Sequence, residues 1–282
     1  TDYAFKKVFG SEHSKGILID FLNAIIYAGQ QQIIDLTIVD PYQIPLIKGM
    51  KDSYVDVKAI LANNTKVIIE MQVLHVEGFE QRILYNAAKL YSTQLTRSAE
   101  YGGLEPIIAV TITDFPMFAE LPKVISYWHL REKESLLKYS DDIELIFVEL
   151  PKFTKTLEEL ETLTDKWIYF LRNAGKLDIV PKTLSVEPHL AEAFQIANIA
   201  GLSEEEHEIQ FKQRDFIWLQ QGSIRKAKME GLEIGRLEGR QEGKLEGRQE
   251  GKLEVARNML KQGVSLEIVI TCTGFTEVEL LG

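Results

Sequence analysis

Two neighbouring apolar runs carry oxygen donors at matching places. The first, YVDVKAIL, holds Asp56 and Lys58; the second, KVIIEMQV, holds Glu70 and Gln72. Carboxylates on adjacent strands can share a hard divalent cation, because such ions favour oxygen ligands. A cation held in that way activates water and stabilises the charge that develops on a phosphate during hydrolysis. Asp56 and Glu70 are therefore candidate metal ligands, with Lys58 and Gln72 two residues further along each run.

Parity decides whether the two acids meet. Residues 54–61 and 66–73 read as Val- and Ile-rich strands around an Ala62-Asn63-Asn64-Thr65 turn. A two-residue Asn63-Asn64 turn pairs Val57 with Glu70 and sends Asp56 to the other face. An odd-numbered turn centred on Asn63 sets Asp56 directly opposite Glu70. That register gathers Val55, Val57, Ala59, Val67, Ile69, Met71 and Val73 on one face and Asp56, Lys58, Glu70 and Gln72 on the other. Asn tolerates left-handed backbone, so a three-residue loop ending in Asn64 with a bulge is expected. Directly opposed side chains have Cβ atoms about 4.5–5.5 Å apart, close enough for two carboxylates to reach one ion. An ordinary hairpin with one solvated, charged face gives the same alternation. The surrounding elements have to decide between the two.

Upstream, residues 14–27 form an amphipathic helix with Ile17, Leu18, Phe21, Leu22 and Ile25 at helical spacing. The strand-like IIDLTIVD follows, ended by Pro41 and Pro45. After the hairpin, residues 77–98 read as one long helix, followed by the apolar strands PIIAVTITDF and IELIFVEL. Helix, three-strand meander, helix, strand is the order of the α/β PD-(D/E)XK restriction-endonuclease-like core. In that core the metal-binding acids stand on the second and third strands, as Asp56 and Glu70 do here.

The segments DYAFKKVFG, VDVKA, VIIEMQV, FEQRILYNAAKLYSTQL and IELIFVELPKF, spread over roughly residues 1–175, resemble the PD-(D/E)XK nuclease family transposases. These are relatives of the bacterial recombination-promoting (Rpn) nucleases. The resemblance implies a Mg2+-dependent DNA endonuclease, with Mn2+ as a substitute ion, linked to recombination or mobile elements. It makes Asp56 and Glu70 the metal ligands and places Gln72 where the general motif carries lysine. An amide can orient water but supplies no charge, and Lys58, on the same face by parity, is the candidate replacement. If nothing replaces the lysine, the alternative is a weak or inactive nuclease fold that acts by DNA binding or oligomeric assembly. Gln81, Arg82 and Tyr85 on the following helix share a face at three- and four-residue spacing, and a Gln-x-x-x-Tyr there resembles a substrate-supporting element of exonuclease relatives. Arg82 could grip phosphate as a charged fork; equally, it could pair with a nearby acid while Tyr85 and Tyr91 serve the core.

Other chemistry is poorly represented. No Gly-rich phosphate loop ends in Lys, and no Gly-x-Ser-x-Gly elbow occurs. The single Cys272 excludes a disulfide framework within the chain and a cysteine-built zinc site, and agrees with a reducing cytoplasm. His75 and His129 lack partners at metal-ligand spacing, and Asp2 and Glu12 are as expected of helix starts as of a site. No run is apolar for long enough to span a membrane, and no signal peptide is visible. The formal charge of -10 opposes non-specific DNA affinity, which depends on Lys and Arg displacing counterions. Lys6, Lys7, Arg82, Lys89 and Arg97 are candidates for a local basic surface.

Four regions are expected: a nuclease-like domain over 1–175, a helical extension over 176–222, a Gly/Glu/Arg repeat over 223–254, and a small helix-turn-helix-like segment over 255–282. Near the end of the first region TLEELETLTDKWIYFL places Leu157, Leu160, Leu163, Trp167 and Phe170 close to a helical stripe packed on the core, and in the extension Glu204 to Glu206 reads as a helix start. Glycines at 231, 235, 239, 243, 247 and 251 each cost a helix about 1 kcal/mol relative to Ala. The repeat is thus either a flexible tether or a helix stabilised by self-association into a homo-oligomer. In the last segment Leu260, Val264, Ile268 and Phe275 are expected to form a small core. Few basic residues follow its turn, so packing or oligomerisation suits it better than groove reading.

Overall fold

The structure, a computed structural model, describes residues 2–43, 53–95, 100–177, 179–197 and 204–281. Helices α1 (Asp2–Phe9) and α2 (Lys15–Ile26) lead into strand β1 (Leu36–Val39). Short strands β2 (Tyr42–Gln43) and β3 (Ser53–Tyr54) form a separate two-stranded sheet among the described residues, before β4 (Val57–Leu61) and β5 (Lys66–Gln72) form the hairpin. Helix α3 (Phe79–Ser92), β6 (Ile107–Thr113), β7 (Ile125–Trp128) and β8 (Ile143–Glu149) follow. Then come α4 (Leu163–Asn173), α5 (Lys182–Ser185), α6 (Pro188–Ala197), α7 (Glu204–Lys261), α8 (Leu266–Thr273) and α9 (Glu277–Leu281). Two compact units divide the chain, Thr1–Trp218 and Leu219–Gly282.

The first unit is built on a six-stranded sheet of order β1-β4-β5-β6-β8-β7. β1, β4 and β5 run as an antiparallel meander, β5, β6 and β8 are parallel, and β7 closes the far edge antiparallel to β8. The expected order of helix, three strands, helix and strand is present, so this is the mixed α/β core anticipated above. β6 is buried at every position, as a central parallel strand covered on both faces must be.

Alternation sorts the two faces. Val57, Ala59, Val67, Ile69, Val110, Ile112, Ile146 and Val148 join the main core with residues of α1, α2, α4 and α6. Ile68, Ile107 and Ala109 pack on the opposite face against Ala87 and Leu90 of α3, and Phe147 against Phe79 and Ile83. Trp167 of α4 is fully buried, with its ring 5.8 Å from that of Phe9 and 5.5 Å from that of Phe21. Its indole N–H donates to Asp20 at 2.8 Å, so α1, α2 and α4 are tied at one point. Asn23 of α2 is buried; it accepts N–H bonds from Gln32 (3.0 Å) and Ile33 (2.8 Å) and donates to the Ile33 carbonyl (2.9 Å), fixing the entry to β1.

The hairpin adopts the expected register, with Val57 opposite Ile69, Ala59 opposite Val67 and Ile60 opposite Lys66. Ala62, Asn63 and Asn64 form the loop: the Asn64 N–H bonds the Leu61 carbonyl (2.9 Å), the Leu61 N–H bonds the Thr65 carbonyl (2.9 Å), and Asn64 has φ 68°. That is the three-residue turn ending in left-handed backbone.

Several expectations are corrected. The first hairpin strand does not run through from residue 54, because regular pairing stops at Val57. Val55 consequently packs with Ile68 and Leu90 under α3, not beside Val57 as parity alone required. Val73 falls beyond β5 and is only partly buried. α3 ends at Ser92, where Ser92 and Thr93 hydroxyls both bond the Lys89 carbonyl; positions 96–99, in the expected longer helix, lie outside the described residues. TLEELETLTDKWIYFL is not one helix: a 3-10 turn, Leu157–Glu159, precedes α4, and Thr162 and Asp165 form a capping box at its start. β7 was not legible as a strand. Pro45, Arg97 and Ser203 lie outside the described residues.

In the second unit the repeat lies wholly within α7. A small core of Ala256, Val269 and Leu280, with Leu260, Val264, Leu266, Ile270 and Phe275 packed on it, holds α8 and α9 to the end of α7. Ile268 is 53% exposed; starting at Leu266, α8 turns Leu266, Val269 and Ile270 inward at helical spacing and leaves Ile268 outside.

Asn64→Ile should lose about 1–2 kcal/mol, the cost of left-handed backbone for a side chain with a Cβ, made worse by β-branching. Asn64→Gly should lose none of it. Urea unfolding followed by circular dichroism checks both.

Candidate functional site

Asp56 sits at the break where β4 begins. Its N–H bonds the Ile69 carbonyl (3.0 Å), and its Oδ2 accepts the Met71 N–H (2.7 Å). A side chain thus takes the place of a backbone acceptor at the end of the ladder. The carboxylate is pinned against the strand that carries Glu70, with only 12% of the side chain exposed. Its Oδ1 lies 3.2 Å from Nζ of Lys6 on α1.

Glu70 and Gln72 project from β5 to a common partner on α3. Arg82 Nη2 donates to Glu70 Oε1 at 2.6 Å and to Gln72 Oε1 at 2.8 Å. Gln72 Nε2 is bound to the Leu74 carbonyl (2.8 Å), which turns the amide oxygen toward Arg82. Gly78, in left-handed backbone at φ 76°, starts α3 and brings Arg82 to the sheet one turn later. The guanidinium also lies 5.1 Å from the centroid of the Phe79 ring. Its Nε is buried without a hydrogen-bond partner. Behind Glu70 a small cavity is walled by Ile68 and Ile83 and reaches Asn86 and Thr111. Asn86 is 1% exposed, and neither of its amide atoms is hydrogen-bonded.

Asp56, Glu70, Gln72 and Arg82 are therefore each tied to β5 or to one another. Lys58 has different surroundings: burial pushes its amine below the ordinary lysine value, and Asp40 is the charge that opposes the shift. Gln81 is exposed, and Tyr85 is partly buried with Lys89 Nζ 5.9 Å from its ring centroid. Lys89 itself is 2% exposed, so it does not belong to an exposed basic surface. His75 pairs with Glu80 at 3.1 Å and stacks on Phe115, while His129 lies 3.3 Å from Glu144; both are structural placements. Glu12 is exposed, and the Asp2 side chain lies outside those described.

Sequence reasoning missed the particular places of Lys6 and Asn86. In DYAFKKVF, Phe5, Val8 and Phe9 mark the buried face, but which acid Lys6 meets is set by how α1 docks on the sheet. Asn86 falls among α3's inward residues Ile83, Ala87 and Leu90; a polar residue in an apolar helical stripe was the signal available.

The donor set suits a hard cation. Asp56, Glu70 and Gln72 offer only oxygen toward the site, and no group of three or more His, Cys, Asp and Glu is placed to hold a metal among the described residues. A cation here would take two carboxylates from the protein and keep much of its water. Mg2+ accepts that arrangement readily.

Two family models match. The model of the PD-(D/E)XK nuclease family transposases matches residues 1–227. The model of the Rpn/YhgA-like nuclease family C-terminal HTH domain matches residues 249–281, which contain α8 and α9. No curated protein and no solved structure matches the chain.

Asp56→Ala should unfold more easily by about 1–3 kcal/mol, because the Met71 N–H loses its acceptor. Asp56→Asn, which keeps an oxygen, should lose less. Chemical denaturation of the two variants checks this, and an Ala variant as stable as the parent would contradict the bond.

Proposed function

Because the chain belongs to the PD-(D/E)XK nuclease family transposases, we propose that it is a metal-dependent DNA endonuclease acting in recombination or on mobile elements. What supports the reading is that the Asp56 carboxylate is held on β5 by the N–H of Met71, the residue after Glu70, while Arg82 holds Glu70. Asp56 and Glu70 would hold Mg2+, or Mn2+ in its place. The bound ion would activate water and offset charge at the phosphate. Gln72 orients water through its amide, and Arg82 offers its guanidinium fork to a phosphate oxygen. Exposed Gln81 and partly buried Tyr85, on the same helix, are assigned to the DNA contact. Lys58 is the least supported of the assigned residues, since burial and Asp40 account for its electrostatics.

DNA as substrate implies a cytoplasmic site of action, and no described helix is long and apolar enough to cross a membrane. The C-terminal unit is proposed to serve assembly more than base reading. Its last helix opens with Glu277 and Glu279, and Arg257, though exposed, donates to the carbonyls of Leu280 and Glu279. The second reading, a nuclease fold that binds or assembles without cutting, is favoured by the neutral Gln72 at the motif's lysine position.

We further propose that α7 self-associates. Glycines 231 to 251 have open space where a Cβ would point, and Leu232, Leu237, Leu245 and Val255 are more than half exposed. A helix with that glycine content is costly alone, and Arg, Lys and Glu alternate along it so that a second copy can meet opposite charges.

With Mg2+ or Mn2+, supercoiled plasmid should be nicked, and a chelator or Asp56→Asn should abolish nicking. Nicking that persists in Asp56→Asn would move the site elsewhere, and a folded parent protein inert with both ions would favour the binding reading. Light scattering should give an oligomer that Leu237→Glu with Leu245→Glu reduces to monomer; a monomeric parent protein would remove the self-association proposal.

A further inference from the structure

Asp56 and Glu70 are each neutralised by a cation from a different side of the sheet. Lys6 comes from α1 on the main-core face, and Arg82 comes from α3 on the other. Taking Asp56 and Glu70 as the cation ligands of the nuclease reading, we infer that Lys6 and Arg82 are exchangeable counter-ions. A divalent cation that takes the two carboxylates frees both side chains for the phosphates of a nucleic-acid strand. Cation and nucleic acid then bind with positive cooperativity.

Three observations carry this. The acids lie deeper than the bases: the Asp56 and Glu70 side chains are 12% and 14% exposed, whereas those of Lys6 and Arg82 are 47% and 40% exposed. Asp56 keeps its place without Lys6, because the Met71 N–H holds the other carboxylate oxygen. Arg82 is incompletely satisfied where it stands, since its Nε is buried with no partner. Turning outward sacrifices the bonds to Glu70 and Gln72 but lets the whole fork meet a phosphate, for which its geometry is suited.

The charge balance gives the direction of the coupling. Two carboxylates and two cationic side chains sum to zero formal charge, and a divalent cation raises the sum to +2. A chain whose net charge is -10 then presents a locally positive site to a polyanion only after the cation has bound. Linkage makes the effect reciprocal: nucleic acid must tighten the cation by the same factor as the cation tightens nucleic acid.

The test uses the full chain, Ca2+ as the divalent probe and a short fluorescent DNA duplex, with gels to verify that the duplex stays intact. Saturating Ca2+ should tighten DNA binding about tenfold, and DNA should tighten Ca2+ equally. Lys6→Met combined with Arg82→Met should abolish that factor while Ca2+ alone binds as tightly as before or more tightly, because its competitors are gone. A merely structural role for the two residues would instead lower Ca2+ affinity together with the melting temperature. Should the double variant fail to fold, each single variant should still cut the factor, and Lys6→Arg should retain it. Undiminished cooperativity in the folded double variant would overturn the inference, as would weakened Ca2+ binding in that variant. Ca2+ binding that needs Asp56 but shows no coupling to DNA defeats the exchange alone. Ca2+ binding unaffected by Asp56→Asn defeats the site assignment beneath it.

Discussion

The hydrogen bond from the Met71 N–H to the Asp56 carboxylate does two jobs that the rest of the site depends on. It ends the β4–β5 ladder, since a side chain now occupies the place of a backbone acceptor. It also holds a negatively charged group in a partly buried position next to Glu70, where a free aspartate would prefer water. The bond is available only in one hairpin register, and the left-handed Asn64 closes the turn that produces that register. A slip of one residue would take Asp56 away from the Met71 N–H and put polar side chains into the main core. Turn chemistry, core packing and acid placement therefore constrain one another.

The two faces of the sheet make separate contributions to the site. The thick face, centred on Trp167 and the rings of Phe9 and Phe21, fixes α1 and so brings Lys6 to Asp56. The other face carries α3 together with Phe115, Met117 and Phe118, and the entry to α3 at Gly78 sets the turn from which Arg82 reaches Glu70 and Gln72. Each acid is thus offset by a base that arrives from its own side of the sheet. The Gln72 amide fits the same scheme, because its oxygen accepts from Arg82 while its nitrogen is anchored to Leu74.

Short-range features of the site were legible in the sequence. Alternation gave the hairpin register and the faces of most of its residues, because period-two patterning reports directly on burial. The family order of strands and helices followed from the same runs. What parity could not show was the break at Asp56, since a carboxylate replacing a backbone acceptor leaves no mark on the apolar pattern; Val55 was misplaced for that reason. Lys6 and Asn86 were illegible for a different reason. Their partners or neighbours come from distant parts of the chain, and docking angles of helices on a sheet are set by packing that no local spacing encodes. The split at Leu160 reflects the Thr162–Asp165 capping box, which was present in the sequence but hidden under an apparent leucine stripe.

The central claim is that Asp56 and Glu70 share one divalent cation. Anomalous diffraction from crystals soaked in Mn2+ tests it most directly. The account predicts a single strong peak within bonding distance of both carboxylates, with Lys6 and Arg82 displaced from them. A peak bound to one acid only, or to residues on another part of the sheet, would contradict it.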